Sequence, residues 1–140
     1  MKYCLVKIMD DILAVVGSTK FDGDMHGSYV AFNFLMSYMN TNRPDQVISC
    51  GAIGLDSIGI QVANLLDISY RNFLPNNNRW EPDGYKARNI EIITNCTRLV
   101  CIRHFDAQTY GSGWTADQAE KVGKYVERFV CKPNYEIEKL

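Results

Sequence analysis

The sequence predicts an α/β fold, a Rossmann-like three-layer sandwich on a mostly parallel sheet of about five strands. Three observations predict it. Short β-branched or apolar runs alternate with longer segments of helical period, the pattern of a parallel sheet whose crossovers are helices. The clearest run, Ile12-Leu13-Ala14-Val15-Val16, is apolar throughout, as a strand buried on both faces must be. Finally, Gly17-Ser18-Thr19, Gly51-Ala52-Ile53-Gly54 and Gly111-Ser112-Gly113 each follow a predicted strand. In a parallel sheet such turns gather on one edge, where open α/β sheets bind their ligands.

The elements follow in order. Residues 1–9 offer an edge strand with charges in it, and 12–16 form the first central strand, ending at Gly17-Ser18. Residues 28–40 place Ala31, Phe32, Phe34, Leu35, Tyr38 and Met39 on one broad helical face. Asn40-Thr41-Asn42-Arg43-Pro44 ends that helix, and 46–50 reads as the second strand. In the next helix, 55–66, Ile58, Val62, Leu65 and Leu66 share one side, and Asp56 and Ser57 suit its first turn. A third strand is expected within 69–74, stopped by Pro75, then a polar loop over 76–84 and a helix over about 85–96. Leu99-Val100-Cys101-Ile102 is the fourth strand, followed by a glycine-bearing loop over 106–114. Thr115-Ala116-Asp117-Gln118 fits a capping box that opens a short helix, and Gly123 suits its C-terminal cap. Residues 125–130 complete the sheet, and the tail 132–140 is expected to be loosely held.

Composition narrows the function. A chain of 140 residues is one domain by size, 1–140, with its core over about 12–131. It is 46% hydrophobic and 22% charged, with a formal net charge of -1 and its basic residues scattered. That balance argues against a nucleic-acid partner, which calls for a locally basic face. Apolar stretches such as Ile12–Val16 are strand-sized, far below the roughly 20 residues of a membrane span. The first eighteen residues meet acids at Asp10 and Asp11 and make a poor secretory signal, so a cytoplasmic location is expected. The five cysteines lack zinc-site spacing and read as small buried hydrophobes, and no acidic cluster calls for a metal. Cys50 abuts the second glycine turn. Glycine there lets backbone N–H groups approach a phosphate, and the following helix adds its partial positive charge.

From about Leu13 to Val130 the chain resembles the SLOG superfamily, named for the Smf/DprA proteins and the LOG phosphoribohydrolases, and most of all its small YspA-like members. The resemblance rests on Val15-Val16-Gly17-Ser18 with Phe21, on 47–57 with Ala63, on Trp80, on Arg88-Asn89, and on Gly113-Trp114-Thr115 with Ala119. The block 49–57 is similar to the family's S-G-G-A-x-G-A-D-S turn, with Cys50 in place of its first glycine. The resemblance implies a nucleotide or nucleotide-derived ligand held between these turns by a sensor, carrier or sequestering protein. It also implies an alternative, a LOG-type nucleotide N-glycosidase, and a second, a DNA-processing accessory protein. Arg88-Asn89-Ile90-Glu91-Ile92 looks like the LOG R-K-x-x-M motif, so Arg88 inherits a phosphate- or ribose-facing role. The P-G-G-x-G-T-x-x-E motif is altered: Trp114 stands for a glycine and Gln118 for the glutamate. A neutral amide neither activates water nor stabilises an oxocarbenium centre as a carboxylate does.

The expected catalytic pair is therefore Arg88 and Gln118, and the expected binding set is Gly17, Ser18, Thr19, Gly51, Ala52, Gly54, Asp56, Trp80, Arg88, Asn89, Gly111, Ser112, Gly113 and Thr115. Several carry two readings. Gln118 can bond a ribose or complete the capping box, and Trp80 can stack on a base or plug its loop against the sheet. Asp56 can touch ligand or cap the glycine turn, and Arg88 can meet a phosphate or a surface carboxylate. His104, near a strand end, is a candidate general base. No cofactor beyond the nucleotide ligand is expected. The apolar helix bearing Phe32, Phe34 and Met36 suggests a homodimer or larger homo-oligomer.

Overall fold

Alternation along the central strands sets the layers. In β1 (Ile12–Gly17), Leu13 and Val15 face one hydrophobic cluster while Ala14 and Val16 face another. A computed structural model describes residues 10–51, 53–107 and 111–140 and arranges them around one sheet. The segment 1–9, offered above as an edge strand, lies outside the described residues. The strands are β1, β2 (Gln46–Ser49), β3 (Ser69–Asn72), β4 (Arg98–His104), β5 (Tyr125–Cys131) and β6 (Ile137–Lys139), in the order β3-β2-β1-β4-β5-β6. The first five pair in parallel and β6 runs antiparallel to β5.

The sheet thus has six strands rather than five, and the tail is not loosely held. Cys131 stands opposite Ile137 and Phe129 opposite Lys139. The turn between them closes when Tyr135 N donates to Lys132 O at 2.7 Å and Lys132 N to Glu136 O at 2.9 Å.

Helices α1 (Met25–Thr41) and α2 (Leu55–Leu65) cover one face of the sheet. Helices α3 (Tyr85–Asn95) and α4 (Gly111–Lys121) cover the other. Helix α1 starts three residues earlier than its apolar pattern because Asp24 caps it, accepting from Gly27 N at 3.0 Å. Its buried stripe is Ala31, Leu35 and Met39, with Phe32, Phe34, Met36 and Tyr38 half-buried on the flanks. Phe34 packs edge-on to Phe129, so much of the apolar excess of α1 serves its own core. In α2 the buried positions are Leu55, Asp56, Ile58, Gly59, Val62 and Ala63; Leu65, expected beside Ile58 and Val62, faces solvent. Among the described residues no helix is long and apolar enough to cross a membrane.

The expected capping box at Thr115 is not formed. Helix α4 already begins at Gly111, and Thr115 sits one turn inside it, donating its hydroxyl to Gly111 O at 3.0 Å. The stretch Gly111-Ser112-Gly113 is therefore the first turn of a helix, not a loop. At the other end Gly123 does take the left-handed conformation, φ +85°, and Lys124 N closes back on Ala119 O at 3.0 Å.

Candidate functional site

Strand order reverses between β1 and β4, so the connections leaving their C-terminal ends depart to opposite faces and leave a crevice between them. A cavity of about 550 Å³ occupies it. Strand β1 and the turn after it contribute Val16, Gly17 and Thr19. The end of β2 and the start of α2 contribute Cys50, Ile53 and Asp56. The loop before α3 supplies Trp80, and the first turn of α3 supplies Tyr85, Arg88 and Asn89. The first turn of α4 adds Gly111 and Ser112, and the next turn adds Thr115. A second depression, about 430 Å³ beside Glu81, Pro82, Asp83 and Lys86, lies on the loop before α3 and the start of that helix, where Lys86 and Glu81 form an exposed ion pair.

Helical spacing builds one wall. Tyr85, Arg88 and Asn89 fall at i, i+3 and i+4 and so share one face of α3. Arg88 is buried, its Nε donating to Asn89 Oδ1 at 2.6 Å and its guanidinium carbon 5.4 Å from the centre of the Tyr85 ring. That fixes the plane of the guanidinium. Trp80 meets Trp114 edge to face, ring centres 5.0 Å apart, and remains 39% exposed at the rim. The tryptophan is therefore both packed and open to the cavity.

Opposite stands Asp56, 5% exposed. Its Oδ1 accepts from Gly17 N at 3.2 Å, while Oδ2 lies 3.2 Å from Ser49 Oγ and 2.6 Å from Cys50 Sγ. The carboxyl thus ties the ends of β1 and β2 to α2, a role different from capping the Gly51–Gly54 turn. Burial pushes its pKa above the ordinary carboxylate value. The bond from Cys50, the Arg88 charge and the Gly17 N–H pull the other way without cancelling it.

Of the residues expected from sequence, Gly17, Thr19, Asp56, Trp80, Arg88, Asn89, Gly111, Ser112 and Thr115 meet at this cavity. Others do not line it. Ser18 is buried behind it, its hydroxyl accepting from His104 N at 3.0 Å. Gly51 faces Asn72 and Leu74 near β3, and Gly54 abuts the Ser18 and Thr19 backbone. Gly113 faces a separate small cleft beside Arg128, and Gln118 lies half-buried further along α4. Ala52 lies outside the described residues. His104 points away: its Nδ1 accepts from Asp106 N at 3.0 Å, which leaves the hydrogen on Nε2 for Asp24 Oδ2 at 2.7 Å. So placed, it is a structural donor rather than a base.

The expected set omitted Val16, Cys50, Ile53 and Tyr85. Tyr85 had a readable signal in its three-residue spacing from Arg88. Among the described residues no group of three or more His, Cys, Asp or Glu could hold a metal ion. No family model matches the chain, and no curated protein does either.

Proposed function

We propose that this chain binds a nucleotide or nucleotide-derived small molecule in the cavity at the C-terminal ends of β1 and β2, as a sensor, carrier or sequestering protein. One observation carries the reading: a buried guanidinium and the first turn of a helix converge on a cavity that an aromatic ring also borders. Arg88 and the α4 N–H groups suit a phosphate, while the Trp80 face suits a base. A cavity of about 550 Å³ is within the range of small-molecule sites. The SLOG resemblance, carried by Arg88-Asn89 and the 49–57 turn, leads to the same ligand class. Binding is preferred to N-glycoside hydrolysis because Gln118 is neutral and stands outside the cavity.

Both tryptophans of the chain, Trp80 and Trp114, lie in contact at the rim, so intrinsic fluorescence reports occupancy. Purified protein incubated with nucleoside monophosphates, cyclic nucleotides and dinucleotides is followed by fluorescence, thermal shift and chromatography for free base. A specific ligand raises the melting temperature by mass action, and Arg88→Ala weakens it about tenfold or more, since a bond to a charged group is worth roughly 1.5–3 kcal/mol. Unchanged binding in both Arg88→Ala and Trp80→Ala would refute the site. Release of free base would instead make the protein a hydrolase.

A further inference from the structure

The hydrogens around Asp56 do not balance if its carboxyl is ionised. Ser49 Oγ lies 2.7 Å from Val15 O and 3.2 Å from Asp56 Oδ2. A hydroxyl carries one hydrogen, and a carbonyl can only accept. The shorter contact therefore takes the Ser49 hydrogen, leaving Oγ and Oδ2 as two oxygens face to face in a buried site. A proton on Oδ2 resolves this, donating to Ser49 Oγ, while Oδ2 still accepts from the Cys50 thiol at 2.6 Å. Oδ1 stays free to accept from Gly17 N–H.

We propose that Asp56 is a neutral carboxylic acid at neutral pH, so that Arg88 is the sole charge among the described residues lining the cavity and the site selects anionic over uncharged ligands. The selectivity rests on the binding reading above; the proton does not. Every element packed on the carboxyl is consistent with it. Strand β1 presents only the Gly17 backbone, β2 and the residue after it present Ser49 and Cys50, and α3 presents Arg88. From β4 comes Cys101, whose thiol burial pushes up to about 11 and so keeps neutral. Desolvation outweighs the attraction of Arg88 on Asp56 itself. Ionising Asp56 would cancel the guanidinium charge and cost the site its attraction for an anion.

Asp56→Asn tests this, because an amide is uncharged like the neutral acid: its NH2 donates to Ser49 Oγ, its oxygen accepts from Gly17 N–H, and the Cys50 thiol, which an amide nitrogen cannot accept from, turns its hydrogen away and takes the second N–H on sulfur. An infrared difference spectrum, wild type minus D56N in D2O near neutral pH, is expected to show the carbonyl stretch of a protonated acid. A carboxylate signal alone overturns the proposal, whatever binds. If D56N does not fold, carbon-13 carboxyl NMR of labelled aspartate in the wild type reads the same proton. Selectivity is read with 3′,5′-cyclic AMP, whose diester charge is constant across the titration, against uncharged adenosine. Cyclic AMP is expected to bind about tenfold or more tightly than adenosine while the acid signal is present, and to lose that margin at the pH where the signal disappears; D56N keeps it throughout. Equal binding of the two overturns the selectivity. An acid signal with neither ligand bound overturns the nucleotide reading and the selectivity together, and leaves the proton on Asp56 established.

Discussion

Gly54→Ala isolates what the second glycine turn contributes. Gly54 has φ +90° and ψ -140°, a region open to glycine alone, and a Cβ there would stand 2.6 Å from both Ser18 O and Thr19 Cα. Both obstacles are backbone, and Ser18 O is also the acceptor for Leu55 N, the first N–H of α2. Backbone strain costs about 1–3 kcal/mol, and overpacking against atoms that cannot rotate away adds about 1–3. The sum is about 2–6 kcal/mol. Unfolding entropy of ~2.1 cal/mol/K per residue over 140 residues gives about 0.3 kcal/mol/K. Each kcal/mol is then ~3 °C, and the melting temperature should fall by roughly 7–20 °C. Gly123→Ala is the control, with φ +85° and no atom within 4 Å of the added carbon. It carries strain alone, about 1–2 kcal/mol or roughly 3–7 °C. Thermal melts with urea titrations at fixed pH separate the two. If G54A and G123A lost the same stability within about 0.5 kcal/mol, the close approach of the turn to the Ser18–Thr19 backbone would be wrong.

Three further outcomes are expected. Asp24→Ala removes the α1 cap and the acceptor for His104 and Tyr135, and should cost about 1–2 kcal/mol in urea unfolding at neutral pH. The Gly27 N–H, followed by the His104 bond, lowers the pKa of Asp24 below 3.8, so its contribution stands above about pH 4. The gap between wild type and D24A should therefore close as pH falls below that value, and a constant gap would refute the assignment. For Asp56 the sign is opposite: a raised pKa means stability present at low pH and lost as pH rises, so wild type should lose ground to D56N between about pH 4 and the folded-state pKa of Asp56. Matching curves would show that Asp56 ionises without cost. Truncation after Lys132 removes β6 and its pairing with Phe129, Val130 and Cys131, and should cost about 2–4 kcal/mol in the same assay; an unchanged melting point would mean the hairpin is idle.

Legibility followed the period of the sequence. The apolar run 12–16 and the succession of strand, glycine turn and helix over 46–66 can bury their side chains in few ways, and they read directly. Where two motifs shared residues, local chemistry misled. Gly111 and Gly113 are poor helix formers, and Thr115 with Gln118 spells a capping box, yet α4 starts at Gly111 and Thr115 bonds back into it. Strand β6 is three residues long and two of them are charged, so it carries no apolar period; the Pro133-Asn134 pair before it was its one readable signal. At the site, sequence located the strand ends but not the direction of each side chain. Ser18 and Thr19 are neighbours, and one turns inward to His104 while the other borders the cavity.

A crevice at this place follows from topology alone, because the connections from β1 to α1 and from β4 to α4 leave the sheet on opposite faces and neither can fill the gap above β1 and β4. Glycine turns around it follow as well, since close helix–strand packing needs them: a Cβ on Gly17 would stand 2.2 Å from Leu55 Cδ2 and 2.3 Å from Ile102 O. Neither feature requires a ligand. The buried polar groups are different. A sheet that needed only stability could line the crevice with apolar side chains, avoiding the desolvation of an arginine and a carboxyl, which is costly even when the two are bonded. Arg88, Asn89, Asp56 and Thr115 are all nonetheless buried here. Asp56 ties β1 and β2 to α2 and Thr115 bonds to Gly111 O, so the fold accounts for those two. The buried charge of Arg88, whose Nε meets the neutral Asn89 amide, is what an anion would complement, so the case for the proposed nucleotide rests on Arg88 and Asn89 more than on the glycines beside them.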